Sequence, residues 1–147
     1  MVVIQMNKKE AINYAQITLD KYQDILIFDE LVEILGIGEN TTYKLLKDKK
    51  IYSKKIGKEY KIPKICVIAY MCNKSVDKAN FLKYYGDILD FKEVRRILRN
   101  PCRNTLYKIL KNKEMYFKII ANEYKIPKSS LIEYIFKDYS SALWKSI

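Results

Sequence analysis

Histidine is absent from the 147-residue chain, and its three cysteines, Cys66, Cys72 and Cys102, show no Cys-x-x-Cys spacing. The paired thiolate and imidazole ligands from which structural zinc sites are built are therefore missing. Cys66 lies in an apolar helical run, where a thiol serves as a small hydrophobe. The sequence also lacks a nucleophile elbow, a phosphate-binding glycine loop and any carboxylate cluster set apart from ordinary helix faces. Without such a constellation no catalysis, cofactor or small-molecule substrate is expected. No apolar run approaches the roughly 18 residues of a membrane span. In MVVIQMNKKE the charges follow the apolar residues, the reverse of a secretory signal. A cytoplasmic protein with no membrane partner is expected.

What is present occurs twice. YKLLKDKKIYSKKIGKEYKIPK, from Tyr43 to Lys64, reappears without a gap as YKILKNKEMYFKIIANEYKIPK, from Tyr107 to Lys128, 64 residues later. The hexapeptide Glu-Tyr-Lys-Ile-Pro-Lys closes both copies unchanged. Two copies are too few for a solenoid, which needs three or more repeats, so a tandem pair of small domains is expected. Each would hold about 55–65 residues, near the lower size at which a domain folds alone. A hydrophobic content of 49% excludes wholesale disorder.

The formal net charge is +11, and residues 87–147 carry +6 of it, from thirteen Lys and Arg against seven Asp and Glu. Residues 24–72 carry only +2, from nine against seven. A basic excess of this size favours a polyanionic partner, nucleic acid first and anionic membrane second. A solvated Lys-rich surface is the plainer reading of the same charge.

Taken in order, residues 7–22 form one amphipathic helix with Asn7 as N-cap, able either to dimerise or to cap the first copy. The boundaries that follow are 24–73 for copy one, 74–86 for a linker helix and 87–147 for copy two. Within copy one, Leu31, Ile34 and Leu35 make a short helical stripe that stops at Gly36, as helices often stop at glycine. A second helix turns Thr42, Leu45 and Leu46 inward, so that the two form a helix-turn-helix. In copy two Asp90 and Glu93 fit a capping box, whereas Ile27 at the equivalent place does not. Pro101 ends the first helix of that copy by about Asn100.

Both copies then alternate with period two, through Tyr52, Lys54, Ile56, Tyr60 and Ile62 and through Tyr116, Lys118, Ile120, Tyr124 and Ile126. The pattern predicts a hairpin with its tip at Gly57-Lys58 or Ala121-Asn122. Gly57 supplies a positive φ; in copy two Asn122, rather than Ala121, is expected to do so. Pro63 and Pro127 should open a further helix. The expected fold class is mainly α with short β-hairpin wings (α+β), as two tandem winged helix-turn-helix domains.

The run LVEILGIGENTTYKLLKDKKIYSKKIGKEYKIP resembles the excisionase-type, MerR-related winged helix-turn-helix domain. Glu30, Leu35, Gly36, Asn40, Thr41, Tyr43, Lys44, Gly57, Lys58 and Tyr60 carry the resemblance. It covers about 45 residues in each copy. Copy two departs from it with Leu98-Arg99-Asn100-Pro101-Cys102 at the turn and Ala121-Asn122 at the wing tip.

A helix of this kind enters the major groove, where polar side chains near its N-terminus meet base edges. Asn40, Thr41 and Lys44 hold that position in copy one, and Arg103, Asn104, Thr105 and Lys108 in copy two. Tyr43, Lys47, Tyr107 and Lys111 lie where phosphates would pass and would position rather than specify. The family-like pose implies wing contacts from Lys54, Lys55, Gly57 and Lys58, and from Lys118 and Asn122. Tyr52, Tyr60, Tyr116 and Tyr124 read more naturally as core or cross-strand aromatics. The expected function is sequence-specific binding of double-stranded DNA at direct-repeat half-sites, in transcriptional regulation or as an accessory factor of a mobile element such as a plasmid. A homodimer or a head-to-tail oligomer on DNA would suit it. The alternative is a protein-interaction module in which one or both copies no longer bind DNA.

Overall fold

The computed structural model describes residues 7–72 and 75–139. It begins with helix α1 (Lys8–Leu19), capped by the Asn7 side chain, which accepts from the Glu10 amide at 2.8 Å. Such a cap stabilises a helix by about 1 kcal/mol. Ala15 and Leu19 are buried against Val67, Ile68 and Cys72. Of the two roles left open for this helix, it takes that of covering the first unit.

Two units with one order of elements follow. The first is β1 (Ile25–Leu26), α2 (Phe28–Leu35), α3 (Glu39–Lys47), β2 (Lys54–Ile56), β3 (Glu59–Pro63) and α4 (Lys64–Cys72). The second is β4 (Ile88–Leu89), α5 (Phe91–Ile97), α6 (Arg103–Lys111), β5 (Lys118–Ile120), β6 (Glu123–Pro127) and α7 (Lys128–Ile135). Each sheet is antiparallel, in the order β1-β3-β2 or β4-β6-β5. The two-residue strands β1 and β4, an Ile-Leu pair in both, extend the expected hairpins to three strands.

The local signals are realised with three amendments. In α5 the capping box is complete: Asp90 Oδ1 accepts from the Glu93 amide at 2.7 Å and Glu93 Oε1 from the Asp90 amide at 3.2 Å. In α2 half of it survives the loss of a polar cap, because Glu30 Oε1 accepts from the Ile27 amide at 3.1 Å.

The first amendment is at the wing tip of unit two. Ala121 (φ 53°) and Asn122 (φ 64°) are both left-handed, whereas in the first wing Gly57 (φ 63°) is and Lys58 is not. The register Ile120↔Glu123 leaves a two-residue turn, and a type I′ turn needs both residues left-handed. The second amendment concerns the prolines. Pro63 and Pro127 end their strands opposite Ile25 and Ile88, and the helices begin one residue later at Lys64 and Lys128. The third concerns the linker helix, which is a single 3-10 turn, Lys78–Asn80. Phe81 is extended and Leu82 left-handed (φ 59°), which breaks the helix and turns both side chains into the core.

The units do not keep separate cores. One cluster, around Leu26, Leu31, Leu46 and Ile62, lies within unit one beneath α1. The other joins Ile25, Tyr52, Ile56, Ile65 and Cys66 of unit one to Phe81, Leu89, Leu106, Ile126, Ile135 and Phe136 on the side of unit two. Alternation along each strand explains how one hairpin serves both clusters, since successive side chains point to opposite faces. Tyr60 and Ile62 turn to unit one's own helices, while Ile56 and Lys61 turn to unit two. Among the described residues no helix is long and apolar enough to cross a membrane.

Candidate nucleic-acid interface

Helix α3 is held by two inward residues. Thr42 and Leu46 are buried, and the Thr42 hydroxyl donates to the Gly38 carbonyl at 3.0 Å. The helical period then leaves Asn40, Thr41, Tyr43, Lys44 and Lys47 on the exposed side. Helix α6 repeats this, with Leu106, Ile109 and Leu110 buried and Arg103, Asn104, Tyr107, Lys108 and Lys111 exposed. Thr105 is turned half inward. Neither exposed face is occupied by another part of the described chain, and each ends on two lysines in its last turn, which also suit the helix dipole.

A tyrosine braces each helix against its surroundings. The Tyr43 ring lies 4.9 Å from Phe28 at the start of α2 and 5.4 Å from Tyr60 in β3. Tyr107 lies 4.5 Å from Phe91 and 5.9 Å from Tyr124. Aromatic pairs at these separations contribute about 0.5–1.5 kcal/mol beyond their burial. Both tyrosines remain partly exposed, so bracing the helix leaves them able to reach a ligand surface.

The wing residues divide. Lys58 and Gly57 stand exposed at the first tip, and the ammonium of exposed Lys55 sits 5.1 Å over the Tyr60 ring. Lys118 and Asn122 are exposed on the second wing. Lys54 is different: its ammonium lies 4.7 Å from the Tyr134 ring centroid and 3.5 Å from Asp138. It faces unit two.

Several residues at this junction escape sequence reasoning. Arg99 donates to the Ile25 carbonyl at 3.1 Å and to Glu30 at 2.5 Å, so it grips both the first strand and the cap of α2. Its backbone is left-handed (φ 65°), as is Gly36 (φ 64°) at the equivalent turn of unit one. An arginine where a left-handed turn favours glycine was the available signal. Tyr52 donates its hydroxyl to the Ile135 carbonyl at 2.6 Å and stacks on Phe136 at 5.7 Å. Burial pushes the Tyr52 hydroxyl well above its ordinary pKa, and pushes Tyr134 up to about 12. It also raises the Cys66 thiol.

The last lysine of the repeated hexapeptide has a structural use. Lys64 donates to the Tyr22 carbonyl at 2.8 Å, and Lys128 to the Tyr85 carbonyl at 2.9 Å. Each ties the segment before its unit to the first turn of the closing helix.

Residues 28–75 match the model of a family described as a helix-turn-helix domain. The matched stretch holds α2, the turn, α3, the wing and α4, and the match suggests that it binds double-stranded DNA. No curated protein and no solved structure matches the chain.

Proposed function

We propose that the protein is a sequence-specific reader of double-stranded DNA in which both units act as winged helix-turn-helix modules. The observation that carries this reading is the pair of equivalent exposed helix faces, Asn40, Thr41, Lys44 and Lys47 on α3 and Arg103, Asn104, Lys108 and Lys111 on α6. Each combines short polar side chains near the helix start with cations further along, the arrangement that base edges and phosphates call for. The net charge of +11 supplies the sequence-independent attraction. Lys55, Lys58, Lys118 and Asn122 would meet the backbone beside the grooves. Because the units share a core, their two recognition faces are held in a fixed relation, which suits half-sites of fixed spacing. No catalytic step and no cofactor belong to this function. A regulator of transcription, or an accessory factor for excision, replication or transfer of a mobile element, would use such a reader.

A second reading, in which one unit serves protein contacts, draws support from the apolar side chains exposed on unit two: Ile88, Tyr116, Ile119 and Ile120. Selection from a randomised duplex pool at two salt concentrations separates the two. Enrichment of a site with two spaced half-sites supports the double reader. Enrichment of one half-site assigns unit two to another partner. No enrichment, with binding lost at moderate salt, removes the claim of specificity.

A further inference from the structure

Equivalent positions in the two units differ sharply in exposure. Ile25, Tyr52 and Ile56 are 0%, 2% and 4% exposed; their counterparts Ile88, Tyr116 and Ile120 are 58%, 66% and 51% exposed. In unit one this strand face is covered by the end of α7, where Tyr134 and Ile135 are buried. The counterparts of those covering residues, Tyr70 and Met71 at the end of α4, are exposed. The chain thus carries one joint made internally, and on different units leaves exposed the equivalent strand face and the Tyr70–Met71 part of the equivalent helix end.

We propose that these exposed parts meet between molecules: the β4–β6 face of unit two receives the α4 end of unit one from a second copy of the chain. The internal joint is the argument for that occupant, because Ile88, Tyr116 and Ile120 repeat Ile25, Tyr52 and Ile56, and Tyr70 and Met71 stand at the register of Tyr134 and Ile135. The contact is heterologous, with different surfaces on the two partners, and such contacts propagate head to tail unless they close into a ring. Two differences set its strength. Phe136 and Tyr139, which pack on Tyr52, have Cys72 and Ser75 as counterparts, with Cys72 buried in the cluster beneath α1. Arg99, which grips Glu30 across the internal joint, has Gly36 as its counterpart, so the contact between molecules lacks that ion pair. It is accordingly weaker than the internal joint and depends on concentration. The inference does not rest on DNA binding.

The test is sedimentation equilibrium of the full chain without DNA, under reducing conditions, over a wide concentration range. Rising weight-average mass is expected, passing twice the monomer value. Met71→Asp and Ile120→Asp each place a charge in one half of the contact, at exposed positions where folding is checked by circular dichroism. Each alone should weaken self-association roughly tenfold or more. Mixed together they should form a 1:1 dimer and stop there, since one intact half remains on each chain. Monomer at all concentrations would overturn the proposal. So would assembly that survives Met71→Asp, because it would mean that two β4–β6 faces meet symmetrically.

Discussion

The same hexapeptide, Glu-Tyr-Lys-Ile-Pro-Lys, forms strand β3 in unit one and β6 in unit two, yet its central lysine meets opposite fates. Lys61 is buried, with its ammonium 2.9 Å from Glu59 and 3.4 Å from the Arg99 carbonyl. Lys125 makes the same contact to Glu123, at 3.0 Å, but stays only half-buried beside an exposed Glu123. Local sequence therefore fixes the strand, its register and its Glu–Lys pair. Burial is set from outside, by what lies against the strand. Unit one presents its outer strand face to unit two, whereas no part of the described chain covers the outer face of unit two.

This contrast can be broken most severely at the tyrosine pair. Tyr52→Ala should cost about 3–5 kcal/mol in urea unfolding, the usual cost of removing a buried aromatic ring. Tyr116→Ala, at the equivalent exposed position, should stay within about 0.5 kcal/mol. Arg99→Ala should cost about 2 kcal/mol, because it removes a charged donor from the Glu30 carboxylate and the Ile25 carbonyl. Exposed Arg96→Ala is the control, expected within about 0.5 kcal/mol.

The wing tips should respond with opposite signs. Gly57→Ala should lose about 1 kcal/mol, since alanine resists a left-handed backbone, while Ala121→Gly should gain at most about that much. Thermal melting of the two variants checks this.

The smallest effect at neutral pH belongs to the tyrosine hydroxyls of the joint. Burial raises the folded-state pKa of Tyr134 to about 12, above its ordinary value of 10.0. A raised pKa means that its contribution is fully present below pH 10 and is lost as pH climbs towards about 12. Stability should therefore fall across that alkaline window, and ultraviolet titration should show a late-ionising tyrosine near pH 12. Tyr52→Phe should remove part of the alkaline loss.

Much of the first unit was legible because its signals are local. Gly36 stops a helix, Asn7 caps one, and the spacing of Thr42, Leu45 and Leu46 orients α3. Period two gave both hairpins, while the wing positions of Lys55, Lys58, Lys118 and Asn122, all exposed, came from the family resemblance. What alternation cannot say is which face of a two-faced hairpin turns to a neighbour. Tyr52 and Ile56 pack on unit two rather than into their own unit for that reason, and Lys54 follows them. The role of Arg99 was illegible for a related cause: its partners, Ile25 and Glu30, lie about 70 residues away, and a departure from the expected glycine turn reads locally as a defect. The linker helix failed because burial of Phe81 and Leu82 outweighed the helical pattern around them.

The central claim is that both exposed helix faces meet DNA. It is tested most directly by the salt dependence of affinity for the selected duplex, measured for the wild type and two double variants. Lys44→Ala with Lys47→Ala alters α3, and Lys108→Ala with Lys111→Ala alters α6; all four positions are exposed, so folding should persist. Both variants should bind more weakly, each with the slope of log affinity against log salt reduced by roughly 1, for the phosphate contact of Lys47 or Lys111. An unchanged slope for either variant would contradict the claim, because that helix would not be touching the phosphates at all.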